Sequence, residues 1–112
     1  MDALGNRLTG DPSVLFKENS TARAIMLSNN FLSFDLSKVR FPKKLDVLEM
    51  THNRIWGRIP QQITKLDALS RLDLSYNRLC GKIPFGGMMR QLPAESFSHN
   101  RCLCGPLLPT CK

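Results

Sequence analysis

Apolar and polar residues follow a repeating pattern along much of the chain. The frame has two apolar residues separated by one position, then an asparagine, then a further apolar residue, and its clearest copy is Leu72, Leu74, Asn77 and Leu79. Alternating apolar residues such as Leu72 and Leu74 place two side chains on one face of a strand. Each copy is therefore expected to form a short strand that points into a core.

The asparagines define the period of this pattern. They are Asn6, Asn30, Asn53, Asn77 and Asn100, with 23 or 24 residues from each to the next. Units of this length stack into a leucine-rich-repeat solenoid, a mostly β horseshoe of α/β type with a short parallel concave sheet and an irregular or 3-10 convex side. Stacked asparagines are expected to form a ladder that satisfies backbone groups of adjacent turns. We assign four repeats to residues 1–94, the first incomplete and lacking an N-terminal cap, and a cysteine cap to residues 95–112.

Compact turns are expected between the strands. Gly-x-Ile-Pro occurs at residues 57–60 and 81–84, and proline suits a bend there because it fixes φ and lacks an N–H donor. Residues 61–66 should form a short helical turn on the convex side. One unit lacks Gly-x-Ile-Pro and reads Ser-Phe-Asp-Leu at residues 33–36. We expect its phenylalanine to fill the turn, and the basic residues between positions 38 and 44 to be exposed on the convex side.

All four cysteines lie in the last third of the chain, at Cys80, Cys102, Cys104 and Cys111. Cys80 and Cys102 follow successive asparagines at nearly equivalent places, so stacked turns bring their Cα atoms within disulfide range. We predict this bond, which leaves Cys104 and Cys111 to close a small loop. Zinc fits less well because one residue, rather than two to four, separates Cys102 from Cys104, and free thiols are the third alternative. Disulfides favour an oxidising compartment.

The chain is basic, with 16 Lys and Arg against 9 Asp and Glu and a net charge of +7. Nucleic acid is not expected as a partner because no arginine-rich run, helix-turn-helix spacing or zinc-finger spacing occurs. An acidic polysaccharide is another polyanion that an extracellular basic protein could bind, and a simple contribution to solubility is a further explanation of the positive charge. No apolar run approaches the roughly 18 residues of a membrane span. The chain shows no signal peptide, although disulfides indicate an oxidising compartment. We therefore expect it to be truncated from a longer secreted protein.

In a solenoid, the strand residues between the inward leucines face the concave side. The predicted partner-binding positions are Met26, Ser28, Asn29, Val47, Glu49, Thr51, His52, Arg71, Asp73, Ser75 and Tyr76. Tyrosine and arginine are favoured as interface anchors. Partner contact is expected of the set, whereas any single position is more typical of a solvated strand residue.

The residues directly after the asparagines form a second set: Arg7, Phe31, Arg54, Arg78 and Arg101. Guanidinium groups aligned at sheet spacing would follow a polyanion such as a chain of galacturonate carboxylates. We therefore treat the four arginines as a polyanion candidate. The alternative is an exposed turn position that tolerates arginine, because surface charges usually have no partner.

Motifs for covalent chemistry are few. Asn19-Ser20-Thr21 is an N-glycosylation sequon in a predicted loop. The sequence has no Gly-x-Ser-x-Gly, His-Glu-x-x-His or phosphate-binding loop. Glu49, His52 and Asp73 could together do acid–base work, but an open, hydrated surface does little to shift pKa values. We therefore expect neither an enzyme nor a metal or other cofactor.

Several stretches carry a family resemblance. Residues 79–87 read Leu-Cys-Gly-Lys-Ile-Pro-Phe-Gly-Gly, and residues 100–111 read Asn-Arg-Cys-Leu-Cys-Gly-Pro-Leu-Leu-Pro-Thr-Cys. With residues 10–16 and 34–39, they resemble the C-terminal part of plant polygalacturonase-inhibiting proteins, and the likeness covers essentially the whole chain.

This resemblance implies a secreted protein of the plant cell wall that binds microbial endopolygalacturonases, mainly of fungi, and blocks their action. The chain would supply the last turns of such a protein, and pectin could assist the binding. Two alternatives remain open at this point. The chain could be a fragment of a plant leucine-rich-repeat receptor or developmental signalling protein, or a pectin binder without inhibitory activity.

Overall fold

The computed structural model describes residues 9–10, 16–105 and 108–109. Its strands are β1 (Thr9–Gly10), β2 (Ala24–Met26), β3 (Phe31–Leu32), β4 (Val47–Glu49), β5 (Trp56–Gly57), β6 (Arg71–Asp73), β7 (Arg78–Lys82) and β8 (Cys102–Cys104). Short 3-10 helices span Leu36–Lys38, Gln61–Lys65, Gly87–Gln91 and Ala94–Phe97. No helix in these residue ranges is long and apolar enough to cross a membrane. The predicted solenoid of short parallel strands is confirmed.

One strand from each of three turns forms the concave sheet, in the order β2–β4–β6. Ile25, Leu48 and Leu72 are in register, and all three side chains point into the buried core. Hydrogen bonds between turns go on past the strand ends, since the N–H of Leu27 donates to Glu49 O at 2.8 Å. The period of 23 or 24 residues therefore brings the same position of each repeat to the same place in the sheet.

The core is a single stack of apolar side chains inside the solenoid. The strand leucines and their equivalents form its centre, and further aliphatic residues close it from both sides, among them Leu27, Leu32, Leu45, Met50, Ile55, Leu69, Leu74 and Leu79. Burying such a side chain contributes about 1.5–3 kcal/mol relative to leaving it exposed. The repeat keeps apolar residues at these positions because each turn can bury them only against its neighbours.

A second set of parallel strands follows the asparagines, which the sequence pattern did not predict. β1 pairs with β3, and β5, β7 and β8 form a three-stranded sheet. The segments that form these strands show no clean apolar–polar alternation, so periodicity gave no signal for them. The strands form because each turn leaves the concave sheet in the same direction and meets the backbone of the previous turn, as when Arg78 N donates to Ile55 O at 2.8 Å.

The convex side carries the predicted short turns. The expected helical turn at residues 61–66 is the 3-10 helix Gln61–Lys65. In the unit without Gly-x-Ile-Pro, Phe34 is buried and stacks on Phe16 with ring centroids 5.8 Å apart. Asp35 caps the 3-10 helix of that unit, since its carboxylate accepts from Ser37 N at 3.0 Å. This local packing replaces the missing bend.

In the basic segment at residues 38–44, exposed basic side chains are interspersed with buried apolar ones. Lys38, Arg40, Lys43 and Lys44 are exposed, whereas Val39 and Phe41 between them are buried. The side-chain amide of Gln62 in the next turn holds Phe41 by two backbone hydrogen bonds of 2.8 and 2.9 Å. The basic side chains are therefore exposed to solvent, while the hydrogen bonds to Phe41 hold the backbone of the segment in place.

The last turn is closed by a different arrangement. The 3-10 helix Ala94–Phe97 takes the place of a concave strand, with Phe97 buried and Glu95 exposed. The predicted disulfide between Cys80 and Cys102 is present, with Cα atoms 4.3 Å apart on paired strands. This bond excludes the zinc and free-thiol alternatives for these two cysteines. Cys104 is also disulfide-bonded, whereas Cys111, its predicted partner, lies outside the described residues. The boundary between repeats and cap at residue 94 stays a prediction.

Candidate partner-binding surface

A ladder of asparagine side chains sets the edge of the concave face. The amide nitrogen of Asn77 donates to Met50 O in the previous turn at 2.8 Å and to Leu74 O in its own turn at 3.2 Å. Its Oδ1 accepts from Ile55 N at 3.1 Å. Asn53 and Asn100 make equivalent bonds, and Asn30 donates to two carbonyls of its own turn. Asn6, the first predicted member, lies outside the described residues.

The residue before each of the four described ladder asparagines has a left-handed backbone. The φ angles are 61° at Asn29, 56° at His52, 58° at Tyr76 and 56° at His99. Non-glycine residues rarely adopt this conformation, and it persists where surrounding contacts over-determine it. Here the asparagine bonds fix the turn, so the four side chains are presented at equivalent places along the rim of the concave face.

Three of these side chains stack on one another. The ring centroids of His52 and Tyr76 are 4.2 Å apart with planes 10° apart, and those of Tyr76 and His99 are 4.2 Å apart with planes 6° apart. We call these three residues the ring column. His99 was missing from the predicted partner-binding positions, although Ser-His-Asn at 98–100 repeats the Thr-His-Asn of 51–53. That shared tripeptide was the signal that could have found it.

Charged side chains lie in the middle of the concave face. The register places Met26, Glu49 and Asp73 in one row. Glu49 forms a salt bridge with Arg71 at 3.4 Å, and Asp73 accepts hydrogen bonds from the backbone and hydroxyl of Ser75. The same row therefore passes from an apolar residue in one turn to acidic residues in the next two.

A groove of about 520 Å³ runs between this row and the last turn. Glu49, Arg71 and Asp73 line one side, and Leu92 and Pro93 line the other. An open groove that mixes charged and apolar walls can hold side chains of a protein partner. The carboxylates of Glu49 and Asp73 already have partners in the chain, so the surface is suited to contact rather than to acid–base chemistry.

Two of the predicted concave residues are not available for contact. Ser28 and Ser75 are each only 6% exposed. The hydroxyl of Ser28 accepts from Thr51 N at 2.9 Å, and that of Ser75 donates to Asp73. Their short side chains lie against the sheet and are used in these hydrogen bonds. Of the remaining positions, Asn29, His52, Arg71 and Tyr76 are exposed, and Met26, Val47, Glu49, Thr51 and Asp73 are partly exposed.

Two of the arginines after the ladder asparagines lie next to exposed aromatic rings of the second set of parallel strands. The guanidinium of Arg54 lies 5.2 Å from the ring centroid of Phe31 in the previous turn. Arg78 pairs in register with Trp56, which is 48% exposed. The arginines are thus interleaved with aromatic rings. Arg101 is exposed, and Arg7 lies outside the described residues.

The sequon asparagine is exposed in a turn. Asn19 stands in solvent, and the turn is closed by a hydrogen bond from Ser20 N to Lys17 O at 3.0 Å. The hydroxyl of Ser20 accepts from Ala22 N at 3.2 Å. The position is accessible to a glycan, and glycosylation of Asn19 stays a prediction.

Comparison with known proteins bears on which partner this surface serves. The family model described as Leucine Rich Repeat matches residues 68–87, which include one full copy of the repeat and its ladder asparagine. The chain therefore has the leucine-rich-repeat fold. Polygalacturonase inhibitor 1 of Arabidopsis thaliana is 46% identical to it over 112 residues, which are 100% of this chain and 34% of that protein. The polygalacturonase inhibitor of Pyrus communis is 49% identical over the same shares.

The chain therefore spans about a third of the length of the curated relatives it matches, and it matches their C-terminal part. Among solved structures, a plant ice-binding protein is 43% identical with a TM-score of 0.95, covering 99% of this chain and 36% of that one. The BIR3–SERK2 complex from Arabidopsis thaliana is 33% identical with a TM-score of 0.82, covering 98% and 58%. The same solenoid thus occurs in proteins with different partners.

Proposed function

We propose that this leucine-rich-repeat protein binds a protein partner through its concave face and inhibits microbial endopolygalacturonase in plant defence. The observation that carries the proposal is its 43–49% identity, over nearly the whole chain, to proteins named polygalacturonase inhibitors. The surface described above supports it, because an exposed tyrosine and arginine beside a groove are typical anchors of protein interfaces. The proposal includes secretion to the plant cell wall, since disulfides persist in oxidising compartments.

The test is a reducing-sugar assay with several fungal endopolygalacturonases. We expect the chain to lower the rate of polygalacturonate hydrolysis, with the full-length Pyrus communis inhibitor as the positive control. Inhibition by the control but not by this chain, across enzymes that the control inhibits, would contradict the proposal. It would then favour a role as part of a signalling protein.

Tyr76→Asn tests whether the concave rim makes the contact. Asparagine occupies the same left-handed position at Asn29, so the variant keeps a compatible backbone and removes the ring. Loss of an interface anchor raises the inhibition constant by roughly 10- to 100-fold, about 1.4–2.8 kcal/mol. Gln91→Ala, an exposed residue on the convex side, should leave the inhibition constant unchanged. Equal inhibition by both variants would place the contact elsewhere.

A second candidate function is binding of an acidic polysaccharide such as pectin. It is favoured by the second set of parallel strands, where Arg54 lies against Phe31 of β3 and Arg78 of β7 pairs with Trp56 of β5. Guanidinium groups pair with carboxylates, and rings beside them add apolar contact area.

Replacing Arg54 and Arg78 by glutamine should weaken retention on immobilised polygalacturonate and lower its salt dependence. Lys43→Gln with Lys44→Gln is the matched control, because it removes the same charge from the exposed convex segment. Equal losses in both pairs would show that net charge alone is responsible.

A further inference from the structure

The ring column contains both histidines of the chain. His52 and His99 cover the two faces of Tyr76, each with its ring centroid 4.2 Å from that of the tyrosine. All three side chains are exposed. The tyrosine ring therefore cannot stack on a partner, and the column meets solvent with its ring edges.

One nitrogen of each imidazole remains open. Nδ1 of His52 lies 3.2 Å from the Thr51 hydroxyl, and Nδ1 of His99 lies 3.2 Å from the Ser98 hydroxyl. Within the described ranges, Nε2 of neither histidine has a hydrogen-bond partner. The open edge of the column thus offers two imidazole nitrogens and one phenol hydroxyl at intervals set by the stacking of the turns.

No carboxylate of the described residues forms an ion pair within 4.0 Å of His52 or His99. The one ion pair within 4.0 Å in that part of the chain joins Arg71 to Glu49, and Asp73 accepts its hydrogen bonds from the serine that follows in the same strand region. Exposed arginines follow the rings two residues later, at Arg54, Arg78 and Arg101. Protonation of His52 and His99 would therefore add positive charge to a surface that is already cationic.

Histidine is the side chain type that changes charge between about pH 5 and 8. A protonated imidazole against the face of a tyrosine is a favourable cation–π contact, so the stacking is compatible with both charge states. We infer that the His52–Tyr76–His99 column is a docking surface for carboxylate groups of the partner protein, and that binding there strengthens as the pH falls. This inference rests on the proposed function, because it concerns the same concave partner.

A protein fits this surface better than an acidic polymer does. Glu49 and Asp73 end the strands that lie three residues before His52 and Tyr76, and they repel a long polymer with a carboxylate on every unit. A folded partner can place its acidic residues on the column alone and other residues over the groove. Opposite charges that meet only at matched points are the usual form of complementarity between proteins.

The first experiment measures the affinity of the chain for a fungal endopolygalacturonase that it inhibits, at pH 5.0 and pH 7.5 and constant ionic strength. At pH 5.0 we expect the chain to bind the enzyme about three- to tenfold more tightly than does a double variant, His52→Gln with His99→Gln. At pH 7.5 the two proteins should bind alike. The enzyme's own titration is common to both proteins and cancels in the comparison. Arg101→Gln, which removes a permanent charge, should weaken binding equally at both pH values. If the ratio of the affinities at pH 5.0 and pH 7.5 is the same for the double variant as for the original chain, the inference is overturned and the proposed function is left intact.

The second experiment does not depend on the enzyme. The imidazole signals of the chain are followed by NMR while a short glycine peptide with two separated glutamates, or polygalacturonate, is added. The diglutamate peptide should shift both histidine signals at pH 5.5 and neither at pH 7.5. Absence of that shift, or a shift with polygalacturonate alone, would overturn the inference. If the chain binds no endopolygalacturonase but its histidines respond to the diglutamate peptide, the proposed function fails and the carboxylate-binding column stands.

Discussion

The side-chain amide of Gln62 forms a two-point hydrogen bond with the backbone of Phe41, 21 positions earlier in the chain. Its Oε1 accepts from Phe41 N at 2.8 Å, and its Nε2 donates to Phe41 O at 2.9 Å. This fork satisfies the hydrogen-bonding groups of a backbone segment that lies outside the strands. It joins the convex sides of two adjacent turns where one of them lacks the usual Gly-x-Ile-Pro bend.

Gln62→Ala should lower the free energy of unfolding by about 1–3 kcal/mol, because it leaves a partly buried donor and acceptor of Phe41 without partners. Urea denaturation followed by circular dichroism measures the change. The neighbouring Gln61 is exposed, so Gln61→Ala is the matched control and should change stability by less than about 0.5 kcal/mol. Equal effects of the two substitutions would show that the fork contributes nothing.

Asn77→Ala removes a buried amide with four backbone partners, among them Met50 O and Ile55 N. We expect a loss of about 3 kcal/mol, since buried polar groups of two turns are left unpaired. Asn77→Asp keeps the acceptor and removes the donor, and should still be strongly destabilising. Denaturation midpoints of both variants, compared with that of Gln91→Ala, provide the measurement. A small effect of the aspartate variant would mean that the acceptor bond carries the ladder.

Gly57 lies close to Asp35 with φ at +87°, and an added Cβ would collide with the Asp35 carboxylate. Gly57→Ala should therefore cost about 1–3 kcal/mol from the collision in addition to the backbone strain. Gly10 has a similar φ of +91°, but no atom of the described residues lies within 4 Å of an added Cβ. Gly10→Ala isolates the strain, so the difference between the two melting temperatures reports the collision. Identical melting temperatures would contradict this account.

The disulfide between Cys80 and Cys102 should contribute about 3 kcal/mol, given a sequence separation of 22 residues. Cys80→Ser, Cys102→Ser and the double variant should lose the same amount, because each of them removes the same bond. Guanidinium denaturation of the three variants, with free thiols alkylated, tests this. A double variant less stable than either single one would show that the cysteines act separately.

The concave strands could be predicted because their positions follow a local period, and the disulfide because it joins two equivalent positions of that period. The second set of parallel strands could not be predicted in the same way. Residues 78–82 read Arg-Leu-Cys-Gly-Lys, without the alternation that marks a strand with one buried face. Their pairing depends on the path of the previous turn, which the local sequence does not specify.

The candidate surface was predicted in outline and missed in detail. Tyr76 and His52 were identified from the strand pattern, whereas His99 was missed because the last turn has lost its leucine pair. Ser28 and Ser75 were assigned to the contact surface because position alone decides which face a residue lies on. Their burial follows from hydroxyl groups short enough to hydrogen-bond within the sheet, which spacing cannot reveal.

The asparagine ladder has a direction. Asn53, Asn77 and Asn100 each donate to a carbonyl of the preceding turn and accept an N–H from it. A chain leaves the ribosome from its N-terminus, so every turn reaches a predecessor that has already emerged and already holds the groups its asparagine needs. The ladder therefore suits a protein that folds one turn at a time as it is synthesised.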